Sequence, residues 1–512
     1  MGDKLSELNS LKETLRNGGG EAAINKQHSL GKLTARERLE RLFDPGSFIE
    51  TGVFVKHRAI NFSMESKTAP AEGVITGYGQ VNGRLVYAIS QDFTVLNGAV
   101  GEMHAKKISK CQKAALTMGA PIVTIYDCGG VRVEEGLDAL SGYAKILKNN
   151  ASLSGVVPQV AVVLGNCAGV LSASVAMNDF VFMVDKNSHL FVNGPQVINS
   201  LNKENVNSDS LGGALTHSTI TGLADYVGTS DDEVLIHVKN LLTFMPQNNL
   251  EKSEVIDAND DMNRTCKELN DIIPENGPYD MRSVISSIAD NNHFIEAKKD
   301  FGKSIITGLI RLNGKSVAVV ASNPSENDGI LDNDSCIKAA RFIRTMDVFN
   351  MPVLTIEDAS SFKVDSKEEN NGLIRNISKL AFAYGEASVP LVTLVTRKAH
   401  GGAYVVMCSK DIGADMVYAW PSASIGVIAA EGAVNIIYDK EIKTSNNAKK
   451  EHDDRLKEYD EKMMNPYVAA SRGYVDDIIA PENTRKYLIS AFDALESKVV
   501  DKPKKKHGNI AL

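Results

Sequence analysis

Apolar and polar positions along the chain fall into two recurring patterns. Short apolar runs, such as Val160 to Leu164 and Val317 to Ala321, have the length of buried strands. Between them, apolar residues recur at helical spacing over Lys106 to Met118 and Ser335 to Phe349. Asn82-Gly83 and Asn313-Gly314 each separate two strand-like runs, the signature of a tight hairpin. Strands alternating with amphipathic helices predict an α/β fold with a mostly parallel sheet and helices outside it. Residues 1–48 carry Leu, Lys, Glu and Arg at helical spacing, broken at Gly18-Gly19-Gly20 and closed by the turn Asp44-Pro45-Gly46. They predict a helical arm. Residues 256–290 are polar, with Asn and Asp clustered at 259–263, and read as a linker.

The patterns also repeat. Gly77 to Arg84 resembles Gly308 to Lys315, and Pro121 to Asp127 resembles Pro352 to Asp358, both 231 positions apart. Pro158 matches Pro390, and Ala168-Gly169 matches His400-Gly401, both 232 positions apart. Four matches in one order at a nearly constant offset predict two copies of one domain, over 49–255 and 291–512.

Composition narrows the chemistry. The net charge of −8 over 512 residues gives no basic character to attract nucleic acid. There is no 18-residue apolar run, and the first 16 residues are polar, unlike a secretory leader. Six scattered cysteines without a CxxC pair read as a reduced, cytoplasmic protein with no metal site. The chain lacks HExxH, GxxxxGK[ST] and a lysine between two methionines, so it carries neither an ATP loop nor its own biotin.

Glycines are the candidate chemistry. Gly129-Gly130, Gly169 and Gly401-Gly402-Ala403 follow apolar strands and precede helices. The first amides of a helix lack intrahelical partners and form a positive spot for a developing anion. Aimed at a thioester carbonyl, they make an oxyanion hole. A tight turn explains one such junction alone; its recurrence in both copies favours function. Among side chains, His400 reads as packed or hydrogen-bonded near its loop, and Cys167 as a small buried residue. Asp358 and Glu134-Glu135 are candidate bases, Arg132 a candidate for phosphate, and Lys106-Lys107 default to a solvated surface.

Further motifs carry a resemblance. Lys32 to Arg38, Asp44 to Phe48, Gln91 to Thr94, Gly101 to Lys107, Gly129 to Gly136, Leu211 to Ala214, Arg397 to Tyr404, Tyr418 to Pro421 and Lys505 to Asn509 together resemble the carboxyltransferase subunits of biotin-dependent acyl-CoA carboxylases and decarboxylases. The resemblance spans nearly the whole chain. It implies two tandem crotonase-like domains, each a ββα superhelix, behind a helical arm. It implies transfer of a carboxyl group between biotin, borne in trans by a separate carrier protein, and a short-chain coenzyme A thioester, propionyl-CoA or methylmalonyl-CoA. The amides of Gly169 and Val170 would form one oxyanion hole, and Gly401, Gly402 and Ala403 the other. Gly129, Gly130, Arg132, Ala168, Asp358, Ser361, Phe362, Tyr404 and Val405 would surround the substrates. Implied partners are a biotin carboxyl carrier protein, biotin carboxylase or membrane decarboxylase subunits, and further copies of this chain in a hexamer. Such partners would leave it cytoplasmic or peripheral to a membrane. The family usually has Gly-Gly where this chain has Gly169-Val170, and Asp-x-Pro-Gly-Phe where it has Asp358-Ala359-Ser360-Ser361-Phe362. Three readings stay open at this point: an active transferase, a weak or inactive paralogue serving as a structural or CoA-binding subunit, and a plain crotonase-type hydratase or hydrolase without biotin.

Overall fold

The computed structural model describes residues 2–274 and 277–510. They form two compact units, Met1–Lys252 and Ser253–Leu512. Each is built on the same plan.

In the first unit the strands are β1 (Ile49–Thr51), β2 (Val74–Val81), β3 (Arg84–Gln91), β4 (Ile122–Cys128), β5 (Gln159–Ala168), β6 (Phe180–Val184), β7 (His189–Phe191) and β8 (Tyr226–Gly228). The sheet order is β1-β2-β3-β4-β5-β6-β8. β1 to β3 are antiparallel, and β3 onward run parallel. β7 pairs with the far end of β5, at Asn166 to Ala168. The second unit repeats this with β9 (Phe294–Ala297), β10 (Ile305–Leu312), β11 (Lys315–Ser322), β12 (Val353–Ala359), β13 (Leu391–His400), β14 (Met416–Ala419), β15 (Ser424–Gly426) and β16 (Asp477–Ile478). The helices Glu102–Met118 and Asn333–Val348 match the predicted amphipathic stretches and bury their apolar faces.

Burial decides several details. The central strands are buried on both faces, so they read as continuous apolar runs, and in the second unit they run as far as Ala359 (β12) and His400 (β13). Lys107, assigned to the surface from sequence, is buried; only Lys106 is exposed. The Lys107 Nζ donates to the carbonyls of Ala71 and Val74 at 2.6 and 2.5 Å. Lys338, 231 positions later, donates to Phe301 and Ile305 at 2.9 and 2.7 Å. Burial lowers the two amines to about 8 and about 7. Both therefore tie the helix to the hairpin and are unavailable to phosphate.

The arm is three helices, Gly2–Arg16, Glu21–Ser29 and Ala35–Leu42. Its inner part is anchored by charge. Asp127, wholly buried at the end of β4, accepts from Lys32 at 2.9 Å, Arg38 at 3.0 Å and Gln27 at 2.9 Å. Arg38 also donates to Asp231 at 2.9 Å and to the Leu164 carbonyl at 2.8 Å. Two buried carboxylates thus meet two buried cations.

Residues 256–290 are not a linker. Cys266, Leu269, Met281, Val284, Ile285 and Ile288 lie in the core of the second unit. The segment is polar at its turns but apolar along the helix Arg282–Ile288. It also supplies Asp290, whose carboxylate accepts from the amides of Asn313 and Gly314 at 3.0 and 2.7 Å. Asp44, at the end of the arm, does the same for Asn82 and Gly83 at 3.1 and 2.8 Å. Both hairpin pairs have positive φ, as a type I′ turn requires.

Arg38→Ala should destabilise the chain by roughly 3–5 kcal/mol, since it leaves buried Asp231 without a cation and Asp127 with Lys32 alone. Urea unfolding would show this as an early loss of the first unit, and a change below about 1 kcal/mol would contradict it.

Candidate functional site

In each unit the second and third parallel strands end side by side. Cys128 is the register partner of Cys167, and Ala359 of Ala399. Immediately beyond lie the glycine junctions.

In the first unit β5 ends at Ala168, and the chain turns through Gly169 into the short helix Ser172–Ala176. Gly169 has φ +77°, and a Cβ there would meet open space. Its glycine is needed for conformation, not for room. The Ser172 hydroxyl donates to the Gly169 carbonyl at 2.8 Å and braces the turn. Val170 is exposed. Gly129 and Gly130 stand beside this turn: Gly129 is exposed, and Gly130 lies close to the Ala168 carbonyl. A cavity of about 460 Å³ flanks the helix, lined by Ala173, Leu190, Phe191 and His217 among others.

In the second unit β13 ends at His400 and enters the helix Gly401–Val406. Gly401 repeats the left-handed turn with φ +59°. Gly402 is exposed, and a Cβ there would lie 2.8 Å from the Phe362 ring. Gly402 is therefore bare because Phe362 packs on it. Its counterpart in the first unit, 232 positions earlier, is Val170, and the counterpart of Phe362, 231 positions earlier, is Val131. A large ring with no side chain opposite it, and two valines, are alternative fillings of one junction. Ser361 likewise takes the place of Gly130, whose φ is +114°. Ser361 is not among the residues of positive φ, so its backbone has moved to a region that a serine adopts freely. Gly401, Gly402, Tyr404 and Val405 line a cavity of about 480 Å³. Its far wall comes from Tyr459, Met463, Val468, Ala469, Arg472 and Tyr474.

Several side chains read as chemical from sequence are structural. Arg132 is buried and donates to Glu72, to Glu135 at 2.7 Å and to the Ala99 carbonyl at 3.0 Å. Its guanidinium is committed to the loop and cannot bind phosphate. Glu135 also accepts from the Glu102 amide at 2.6 Å, and the partly exposed Glu134 pairs with Lys67 at 3.2 Å. Asp358 is buried among Arg397 at 2.9 Å, the Tyr279 hydroxyl at 2.7 Å and the Lys398 amide at 3.1 Å. It is a strand-end anchor, not an available base. Cys167 is a core residue, with its thiol pushed up by burial. His400 bonds Ser424 at 3.0 Å, and burial followed by the nearby Lys398 charge keeps it neutral. Sequence reasoning missed the far wall of the cavity. Its residues come from 459–474, where Val468, Ala469 and Arg472 share a helical face but no glycine marks the chemistry.

Among the described residues, one buried carboxyl has both oxygens unpaired. Glu357 is wholly buried on β12, and neither carboxyl oxygen has a hydrogen-bond partner. Its counterpart 231 positions earlier, Tyr126, bonds the Ser174 hydroxyl at 2.9 Å; the position of Ser174 is Val406 in the second copy. Burial, reinforced by Asp358, raises the Glu357 carboxyl well above its usual range, so it is a neutral acid. It lies within electrostatic reach of Tyr404, whose unpaired hydroxyl is pushed up by burial to about 12.

Two copies of a ββα fold, each presenting a glycine-headed turn beside a cavity, define a tandem crotonase-like enzyme. The carboxyl transferase domain model matches residues 26–510. The chain is 48% identical to the methylmalonyl-CoA decarboxylase subunit alpha of Propionigenium modestum, over 99% of each chain. It is 45% identical to the methylmalonyl-CoA carboxyltransferase 12S subunit of Propionibacterium freudenreichii subsp. shermanii, over 100% of this chain and 97% of that one. The crystal structure of a transcarboxylase 12S hexamer core, with methylmalonyl-coenzyme A and methylmalonic acid bound, superposes with a TM-score of 0.97 at 44% identity, covering 100% of this chain and 98% of that one. The chain belongs to the carboxyl transferase domain family. Among the described residues no helix is long and apolar enough to cross a membrane.

Two outcomes follow from the junctions. Gly402→Ala should cost roughly 1–3 kcal/mol by overpacking on Phe362. Adding Phe362→Val should restore most of it, read as the melting temperature; no recovery would contradict the packing account. Glu357→Gln should gain stability relative to the parent as pH rises from 4 to 8. The folded carboxyl stays protonated while the unfolded one ionises near 4.5, so the folded state binds more protons and loses stability with rising pH. The glutamine has no such slope. Parallel melting curves across that range would refute the neutral acid.

Proposed function

We propose that the chain is an active carboxyltransferase, moving a carboxyl group between biotin on a separate carrier protein and a short-chain acyl-CoA, propionyl-CoA or methylmalonyl-CoA. The carrying observation is the duplication of the glycine-headed junction at the ends of paired parallel strands. The reaction needs two oxyanion sites, because the thioester and the biotin ureido group each gain negative charge on a carbonyl oxygen as the carboxyl leaves. Gly169 and Val170 would serve one oxygen, and Gly401, Gly402 and Ala403 the other. Ala168, Gly129 and Gly130 would flank the first site; Ser361, Phe362, Tyr404 and Val405 would shape the second. Asp358 and Arg132 would hold the surrounding loops and not touch substrate.

The cavity beside Gly401 suits a biotin ring. Its volume of about 480 Å³, its apolar and aromatic walls and its helix-start amides fit a compact bicycle with one carbonyl. The amides of this chain would orient the carbonyl and take up its charge, and the apolar walls would exclude water from the carboxyl in transit. The relatives named above act on methylmalonyl-CoA or assemble as hexamers, and this chain follows them in the proposal. Carboxylase or decarboxylase partner subunits would set the net direction and any membrane attachment.

Purified chain with methylmalonyl-CoA and biotinylated carrier should release propionyl-CoA in a biotin-dependent manner. Gly401→Val, which forces a branched residue into φ +59°, should lower the rate by about 100-fold, the usual worth of an oxyanion donor. Absence of biotin-dependent turnover above a protein-free control would leave only the structural or CoA-binding role.

A further inference from the structure

Arg472 is the one charged residue among the described residues lining the Gly401 cavity. It stands at the C-terminal end of the helix Pro466–Ser471, and it is exposed. Its backbone amide bonds the Ala469 carbonyl at 3.2 Å, but its guanidinium has no hydrogen-bond or ion-pair partner among the described residues. Two other arginines of this half of the chain are engaged. Arg397 is held by Asp358 and by the Gly277 carbonyl, and Arg455 by Glu441, Glu451 and Glu458. Favourable interaction with the end of a six-residue helix would be met by any cation pointing to solvent. It does not explain a guanidinium on the wall of a cavity whose other residues are apolar, aromatic or glycine.

A planar fork of donors on a residue that lines an otherwise uncharged cavity is matched to a carboxylate, which it binds through two parallel hydrogen bonds. The same lining includes Gly401 and Gly402, whose helix-start amides would suit a carbonyl oxygen. The cavity thus presents one site for a carbonyl and one for a carboxylate. We propose that Arg472 is the carboxylate-binding residue of this cavity and makes it distinguish the carboxylated form of its ligand from the carboxyl-free form. This rests on the transferase reading above. Two ligands of that reaction bear such a group, carboxybiotin and the methylmalonyl thioester, and their chemistry at Arg472 is the same.

The test compares full-length wild type, Arg472→Gln and Arg472→Lys on matched pairs: methylmalonyl-CoA against propionyl-CoA, and carboxybiotin against biotin, by KM and kcat in both directions of transfer. Arg472→Gln should weaken the carboxylated member of one pair by about tenfold, the value of one charge-assisted hydrogen bond, and leave its carboxyl-free partner within about twofold. Arg472→Lys should recover part of the loss. The pair that responds identifies the ligand. Equal weakening of both members, or no change in either pair, overturns the proposal. Methylmalonate titrated into each protein by NMR gives a readout independent of turnover. If wild type transfers no carboxyl yet binds methylmalonate in an Arg472-dependent way, the transferase reading falls and the carboxylate site stands. If binding is the same in all three proteins, the site falls.

Discussion

A carboxylate buried at the end of a parallel strand must be matched by cations, and the architecture of both copies answers that demand. Asp127 and Asp358 occupy the same place, 231 positions apart, where the strand register shifts just before the glycine junctions. An unpaired charge there would cost more than the fold can supply. The first copy recruits Lys32, Arg38 and Gln27 from the arm. The second uses Arg397 from the neighbouring strand and Tyr279 from the segment before the sheet. Arm and supposed linker are therefore the same device. Each precedes its sheet, each closes a strand-end carboxylate, and each delivers an aspartate, Asp44 or Asp290, that pins the first hairpin.

With the strand ends fixed, the loops beyond them can diverge. The two copies exchange bulk at matched positions: Val131 and Val170 in one, Phe362 and Gly402 in the other. They also exchange polarity. A satisfied Tyr126–Ser174 pair in the first copy becomes Glu357 and Val406 in the second, leaving an acid without a partner beneath the junction. The scaffold residues Lys107 and Lys338 stay the same in kind and in bonding. At these positions the copies diverge beside the glycine junctions, as expected if duplicated sites take up different halves of the proposed reaction.

The sequence made the repeat, the hairpins, the parallel strands and the glycine junctions legible, because each depends on local pattern: period, turn residues, apolar runs. It concealed what depends on burial. Lys107 and Arg132 look like surface cations in a string of letters, and only the packed structure shows their charges closed by carbonyls or carboxylates. The segment 256–290 is polar on average, and averages hide the apolar face of Arg282–Ile288. The far wall of the second cavity was invisible because residues 459–474 meet Gly401 only through tertiary folding.

The departures at Val170 and Ser361 acquire a physical meaning in that light. An oxyanion site made of backbone depends on the direction of N–H groups, and any residue that holds the conformation supplies the donor equally well. The position that truly requires glycine is the one turned left-handed, Gly169 or Gly401, and both copies retain it. Val170 follows that turn with its side chain directed to solvent, and Ser361 has left the left-handed region that Gly130 occupies. Neither substitution strains the turn that aims the amides. Side-chain changes beside such a site alter what fits against it, not whether the donors exist, so they bear on substrate choice before they bear on activity.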